Sequence, residues 1–160
     1  MIKAILACDE KGGIGKNGSL PWPHNSADLK WFKENTAGCS VVMGRNTWES
    51  LPVKPLPNRE NVVVTSRSLS EEHEDLIVGD IKSVLKVLPM MKKDDQDVWI
   101  IGGAQLIERM IPYIEEFYLS RIDGDYDCDT FLPLTKIQEV FKIKDITITP
   151  DMKFEVYKRK

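Results

Sequence analysis

Asp28 stands three and four residues ahead of Trp31 and Phe32. In a helix that spacing brings the carboxyl group and both rings onto one face. An acid beside two rings is a candidate ligand-binding group, and an acid in a first helical turn is also what the helix dipole favours on its own. Arg45 and Arg67 each follow the end of an apolar run, in Met43-Gly44-Arg45-Asn46-Thr47 and in Val64-Thr65-Ser66-Arg67. Two strand-end clusters of arginine and hydroxyl suit a phosphate, through charge-assisted hydrogen bonds; ordinary surface charge is the plainer alternative. Ile100-Ile101-Gly102-Gly103-Ala104 passes from an apolar run into a helical pattern. Small residues there let a pyrophosphate approach the helix N-terminus, and a tight strand-to-helix turn would use the same glycines.

Lys11-Gly12-Gly13-Ile14-Gly15-Lys16-Asn17 is close to the phosphate loop of one class of ATPase. Two features oppose that reading. Asn17 stands where the magnesium-binding hydroxyl belongs, and Pro21 and Pro23 forbid the long helix whose N-terminus would hold the phosphates. The segment reads instead as a flexible glycine loop at the C-terminal end of a strand, where open α/β sheets bind ligands.

These groups must be positioned by the elements between them. Apolar runs at residues 2–8, 41–43, 62–65, 76–78, 98–101 and 117–122 are rich in Val and Ile and nearly continuous, as expected of strands buried on both faces. Helical patterns fall at 26–35, behind the possible caps Asn25 and Ser26; at 46–51; at 81–88, capped by Asp80; and at 104–111. Pro89 and Pro112 sit where two of these helices should stop. Residues 141–147 and 152–158 alternate around Thr149-Pro150-Asp151, an antiparallel hairpin. Strands alternating with helices and a closing hairpin predict an α/β three-layer sandwich: a mostly parallel central sheet of about eight strands, an antiparallel C-terminal edge strand and flanking helices. Pro52 to Asn58 is too short for a linker and reads as a rigid surface loop.

The 160 residues suit a single domain spanning 1–160. A formal charge of -3 puts nucleic-acid binding behind. No apolar stretch approaches the ~20 residues that a bilayer span needs, and the first apolar run is too short for a signal peptide. Three cysteines, Cys8, Cys39 and Cys128, without CxxC spacing argue against a disulfide framework or a zinc site, and a cytoplasmic location is the expectation. No long apolar surface stripe is evident, which favours a monomer.

Taken together and in order, a further set of signatures carries a resemblance. They are Gly13-Ile14-Gly15; Leu20-Pro21-Trp22; Ala27-Asp28-Leu29 with Trp31-Phe32; Val42-Met43-Gly44-Arg45 with Thr47-Trp48-Glu49-Ser50; Leu56-Pro57-Asn58-Arg59; Ile101-Gly102-Gly103; Leu119 to Ile122; and Asp129-Thr130 before Phe131 and Pro133. The chain resembles dihydrofolate reductases over nearly its whole length. The resemblance implies NADPH-dependent reduction of 7,8-dihydrofolate to tetrahydrofolate, with hydride delivered to pterin C6 and a proton to N5, in one-carbon metabolism and thymidylate precursor synthesis. It also implies binding of antifolate inhibitors, and no metal.

By the same resemblance Asp28, Leu20 and Trp22 are the catalytic positions: Asp28 binds the pterin 2-amino group and N3, Trp22 holds a water near it, and Leu20 lies on a loop over the nicotinamide. Ile5, Ala7, Phe32, Leu51, Leu56 and Ile101 line the substrate slot, Arg59 pairs with the glutamate α-carboxylate, and Ser120 shares a hydrogen-bond network with Asp28. For NADPH, Gly44, Arg45, Asn46 and Thr47 face the phosphates, while Thr65, Ser66 and Arg67 lie near the 2′-phosphate. Gly102, Gly103, Ala104, Gln105 and Leu106 cradle the pyrophosphate. Ala7, Ile14, Gly18, Ser19, Leu20 and Ile101 approach the nicotinamide, and Thr130 braces the loops. Ile107 replaces an aromatic residue and Gln105 a basic one common in the family. A related pyrimidinone reductase of riboflavin synthesis and a non-catalytic nucleotide-binding module are the competing readings. Asp28 with Arg59 speaks against the first, and Asp28, Arg45 and Gly102-Gly103 against the second.

Overall fold

The computed structural model describes residues 1–16, 22, 25–67, 69, 76–91 and 96–160. Its centre is an eight-stranded sheet in the order β5-β4-β3-β6-β1-β7-β10-β9. The strands are β1 (Ile2–Cys8), β3 (Ser40–Gly44), β4 (Glu60–Val64), β5 (Leu76–Gly79), β6 (Val98–Gly102), β7 (Glu116–Ile122), β9 (Phe141–Ile148) and β10 (Met152–Arg159). All pairings from β5 across to β7 are parallel. The antiparallel strand is β10, held between β7 and β9.

Alternation along the central strands explains their nearly continuous apolarity. Val42, Val62, Ile100, Phe117 and Leu119 point into one core with Val84 and Leu88 of α3 (Ile81–Met91), Ile107 and Met110 of α4 (Ala104–Met110) and Ile137 of α5 (Leu134–Val140). Their chain neighbours Val41, Met43, Val63 and Trp99 point into the other, with Trp31 and Phe32 of α1 (Ser26–Thr36) and Trp48 of α2 (Arg45–Ser50). Each buried aliphatic or aromatic side chain contributes about 1.5–3 kcal/mol. A strand between two helical layers therefore gains from every residue, and the result is three layers.

Several elements differ from the sequence expectation. Helix α3 does not stop at Pro89 but carries it in its last turn. The missing N–H there costs one hydrogen bond to the carbonyl of Leu85, while Val84 and Leu88 hold the same helix in the core. Helix α4 does stop ahead of Pro112, as expected; it ends at Met110 and gives way to a 3-10 turn, Ile111–Tyr113, that contains the proline. The glycine segment after β1 is not a flexible loop. Gly13–Gly15 forms β2 and pairs antiparallel with β8 (Thr130–Phe131). Neither β8 nor α5 carries a pattern long enough to show in the sequence.

The parallel strands β1, β3, β4 and β6 all end on one side of the sheet, near Ala7, Gly44, Thr65 and Gly102. That is the edge where such sheets bind ligands.

Candidate active site

Helix α1 begins at Asn25, whose Oδ1 accepts from the Asp28 N–H at 3.0 Å. This cap fixes Asp28 in the first turn, as the acid-first pattern requires. The Asp28 side chain turns to the sheet, where burial pushes its pKa above the ordinary carboxylate value and Ser120 pulls it back in part. Ser120, on β7, is fully buried and opposite Ala7 of β1 in the ladder. Its hydroxyl meets full hydrogen-bond geometry with no group among the described residues. The contact with Asp28 is therefore electrostatic and loose, and a buried hydroxyl without a firm partner beside a buried carboxylate is a pair with capacity to spare for a ligand.

Below this pair, Ile5 is buried, and Phe32, Leu51, Leu56 and Ile101 are half-buried around it in one cluster. Half-burial suits a wall more than a packed centre. Trp22 is buried against Ala7, Ile122, Met152, Tyr126 and Phe154. The sequence-derived substrate positions thus come together at the C-terminal half of β1. Arg59 closes the far end. Its Nε donates to Thr36 Oγ1 at 2.8 Å and a terminal N–H to the Pro57 carbonyl at 2.7 Å, with the guanidinium 5.6 Å from the centre of the Phe32 ring. It pairs with no carboxylate among the described residues.

On the other side of β6, Gly44 caps α2 and Gly103 caps α4, neither with a side-chain hydrogen bond. The Gly102–Gly103 peptide is cis, and Gly102 has φ +128°. A Cβ at Gly102 would lie 3.4 Å from both Leu6 Cδ2 and Thr47 Oγ1, and one at Gly44 would lie 3.7 Å from the Gly103 nitrogen. Gly44, Gly102 and Gly103 therefore form one close-set cradle of backbone with the Thr47 hydroxyl against it, and the lack of side chains on the glycines permits that approach. Ala104 is half-buried and Gln105 exposed, while Leu106 and Ile107 are core residues, Ile107 without exposed surface.

Farther out, a cavity of about 330 Å3 is lined by Arg45, Val64, Thr65, Ser66, Arg67, Asp80, Ile81 and Arg109. Arg45 is held by Glu49, Nε to Oε1 at 3.0 Å; Arg67 and Arg109 pair with no acid among the described residues. Arg109 and Asp80 had no part in the sequence-level site. Arg109 lies in the last turn of a predicted helix, where a cation reads as a dipole partner. Asp80 reads as a cap, and it is one, accepting the Ser83 N–H at 2.8 Å. Asn46 is exposed on α2; Ile14 lies half-buried on β2; Thr130 is exposed on β8 and bonds Asp129. Gly18, Ser19 and Leu20 lie outside the described residues.

A half-buried carboxylate with a spare hydroxyl, a glycine cradle and a pocket of three arginines, one of them braced by Glu49, lie side by side on one sheet edge. A family model described as dihydrofolate reductase matches residues 1–159. The chain belongs to the dihydrofolate reductase family. It is 40% identical over 133 residues to the dihydrofolate reductase of Bacillus subtilis, covering 83% of this chain and 76% of that one. To the Haemophilus influenzae enzyme it is 39% identical over 136 residues, 84% and 80% of the two chains. The dihydrofolate reductase of Enterococcus faecalis, solved with NADP(H) and RAB-propyl, superposes with a TM-score of 0.85 at 32% identity, covering 100% of this chain and 96% of that one. This dihydrofolate reductase catalyses the NADPH-dependent reduction of dihydrofolate. Among the described residues no helix is long and apolar enough to cross a membrane.

Proposed function

We propose that Asp28 is the residue that binds and polarises the pterin, and that Arg59, Arg67 and the Gly102-Gly103 turn set the positions of substrate tail and cofactor. The observation that carries this reading is the Asp28–Ser120 pair: a carboxylate raised in pKa by burial beside a buried hydroxyl with no firm partner. A flat heterocycle with two adjacent N–H donors satisfies both. Its 2-amino group and N3–H match a carboxylate in bidentate fashion, at ~1.5–3 kcal/mol per charged hydrogen bond, and Ser120 can accept from the same amino group.

Bound NADPH supplies the hydride for pterin C6. The protein's part is to hold charge and exclude water. The Asp28 anion favours the protonated form of N5, the proton coming from water, and the buried Trp22 limits that water to few positions. The planar guanidinium of Arg59, already half-held by Thr36 and Pro57, is preorganised for the glutamate α-carboxylate. The cradle at Gly44, Thr47, Gly102 and Gly103 takes the pyrophosphate, and the arginine-lined cavity the adenosine 2′-phosphate. Antifolates carrying a 2-amino heterocycle compete for Asp28.

The reading extends to a single domain of residues 1–160 that works as a monomer in the cytoplasm. Its test is the absorbance loss of NADPH at pH 7 with dihydrofolate, in the wild type and Asp28→Asn. Turnover near wild type in the variant would overturn the assignment of Asp28.

A further inference from the structure

Asp9 is a fully buried carboxylate with no ion pair among the described residues. It follows the last residue of β1, and four donors surround it. Oδ1 accepts from the N–H groups of Lys11 at 2.9 Å and Gly13 at 2.8 Å. Oδ2 accepts from the Tyr126 N–H at 3.1 Å and from Cys128 Sγ at 3.4 Å. Both oxygens are thereby filled. Two donors belong to the segment that becomes β2, and two to the segment that becomes β8. A structural acid with only one such turn to cap would need half of these bonds.

What these segments carry is the site. Beyond Gly13, β2 holds Ile14. Beyond its backbone bond to Asp9, Tyr126 lays its ring edge-on to Trp22, with centroids 6.0 Å apart, and Trp22 packs on Ala7 at the end of β1. The two segments also meet directly. A Cβ at Gly13 would sit 2.4 Å from Cys128 Cβ and Sγ and 3.1 Å from Asp9 Oδ1, so only glycine allows the approach. Asp129 N–H bonds Gly15 O at 3.0 Å and Leu132 N–H bonds Gly12 O at 2.9 Å.

We infer that Asp9 is a positioning residue for hydride transfer, a buried anion that pins the β2 and β8 segments to the end of β1 and through Tyr126 fixes Trp22 against the pterin end of the site. The inference rests on the reading of Trp22 as part of that site. Asp9→Asn tests it. An amide has one acceptor oxygen, and its NH2 meets N–H donors on the other side, so one of the two segments loses its anchor.

The experiment is single-turnover hydride transfer from NADPH and from its deuterated form, in Asp9→Asn, Trp22→Phe and the double variant. Because a single-turnover rate constant does not depend on the fraction of active protein, a purely structural role would lower the amplitude and leave the rate constant alone. The expected result is a rate constant about tenfold lower in Asp9→Asn, inside the ~100-fold that a ~1 Å misplacement costs. The affinity for adenosine 2′,5′-bisphosphate, a probe of the arginine-lined cavity alone, should stay within about twofold. The double variant should be no slower than the slower single one, the mark of one shared path. An unchanged rate constant in Asp9→Asn, or effects that multiply, overturns the inference and leaves the site reading standing. No slowing in Trp22→Phe overturns both. If Asp9→Asn does not fold, Gly13→Ala parts the same two segments from the opposite side, and the same slowing, or its absence, decides.

Discussion

Arg59 is tied through Nε to Thr36, the last residue of the helix whose first turn holds Asp28. The two charged groups assigned to opposite ends of the substrate are thus fixed to opposite ends of α1. Asp28 and Thr36 are eight residues apart, a rise of about 12 Å. The helix acts as a spacer between pterin and glutamate, and Gly38, with φ +74° and its N–H on the Asn58 carbonyl at 2.9 Å, closes the turn that brings the Arg59 loop back to it.

Asp28→Asn keeps the shape of the side chain and removes its charge. Turnover at pH 7 should fall by more than about tenfold and recover partly in acid, where N5 takes a proton unaided. The ligand-free protein should gain stability. Burial raises the folded-state pKa of Asp28, so the native state binds the proton more tightly than the unfolded chain, and stability drops as pH rises from the unfolded value of ~3.9 through the folded one. The variant escapes that drop. Melting curves should therefore separate the two proteins at pH 7 and bring them together toward pH 4.

Arg59→Ala should weaken dihydrofolate and methotrexate by roughly tenfold or more, from the loss of a charge-assisted pair of about 1.5–3 kcal/mol. A diaminopyrimidine without a carboxylate should bind within about twofold of wild type. Fluorescence titration of both ligand types checks it; equal weakening would mean that Arg59 serves only its bonds to Thr36 and Pro57.

Arg67 lines the cavity and pairs with no acid among the described residues, whereas Arg45 is braced by Glu49. Arg67→Ala should therefore raise the Kd for NADPH about tenfold and that for NADH hardly at all, at a cost of ~1.5 kcal/mol. The NADPH preference should also shrink as salt is added, since these charges are exposed. Paired titrations at low and high salt measure both.

Gly102→Ala places a methyl group in a φ +128° conformation, 3.4 Å from Leu6 and Thr47. The variant should lose about 1–3 kcal/mol in a urea melt and bind NADPH more weakly, because relief requires the cradle to open. An unchanged melting midpoint would show that the turn adapts without strain.

The central strands were legible because burial on both faces leaves few polar interruptions. Val41 to Met43 and Val98 to Ile101 announce themselves, and the observed strands extend them by a residue or two. The C-terminal hairpin was legible by alternation. The small sheet was not: Gly13–Gly15 is held by Asp9 and by a partner strand more than a hundred residues away, and three residues of Gly-Ile-Gly have no period. Helix α5 (Leu134–Val140) follows Pro133, which gives it no side-chain cap. At the site, Asp28, Arg59 and the glycines carry their chemistry in their type and order. Arg109 joins Arg67 only because the end of α4 and the segment after β4 line one cavity, a relation with no local signal, and Asp9 reads as any acid after a strand until its four donors are seen.

Strand β1 is first in the chain and sits in the interior of the sheet, hydrogen-bonded to β6 on one side and β7 on the other. Both partners come from the last two-fifths of the sequence. A ribosome that has made the first ninety residues has produced β1 with two open edges and nothing to close them. The sheet is therefore completed late, from contacts of long sequence separation, which slow folding and leave apolar edges exposed meanwhile. Truncation at the C-terminus should accordingly yield an aggregating chain, not a smaller enzyme, and chaperone demand should be greatest just before residues 116–122 emerge.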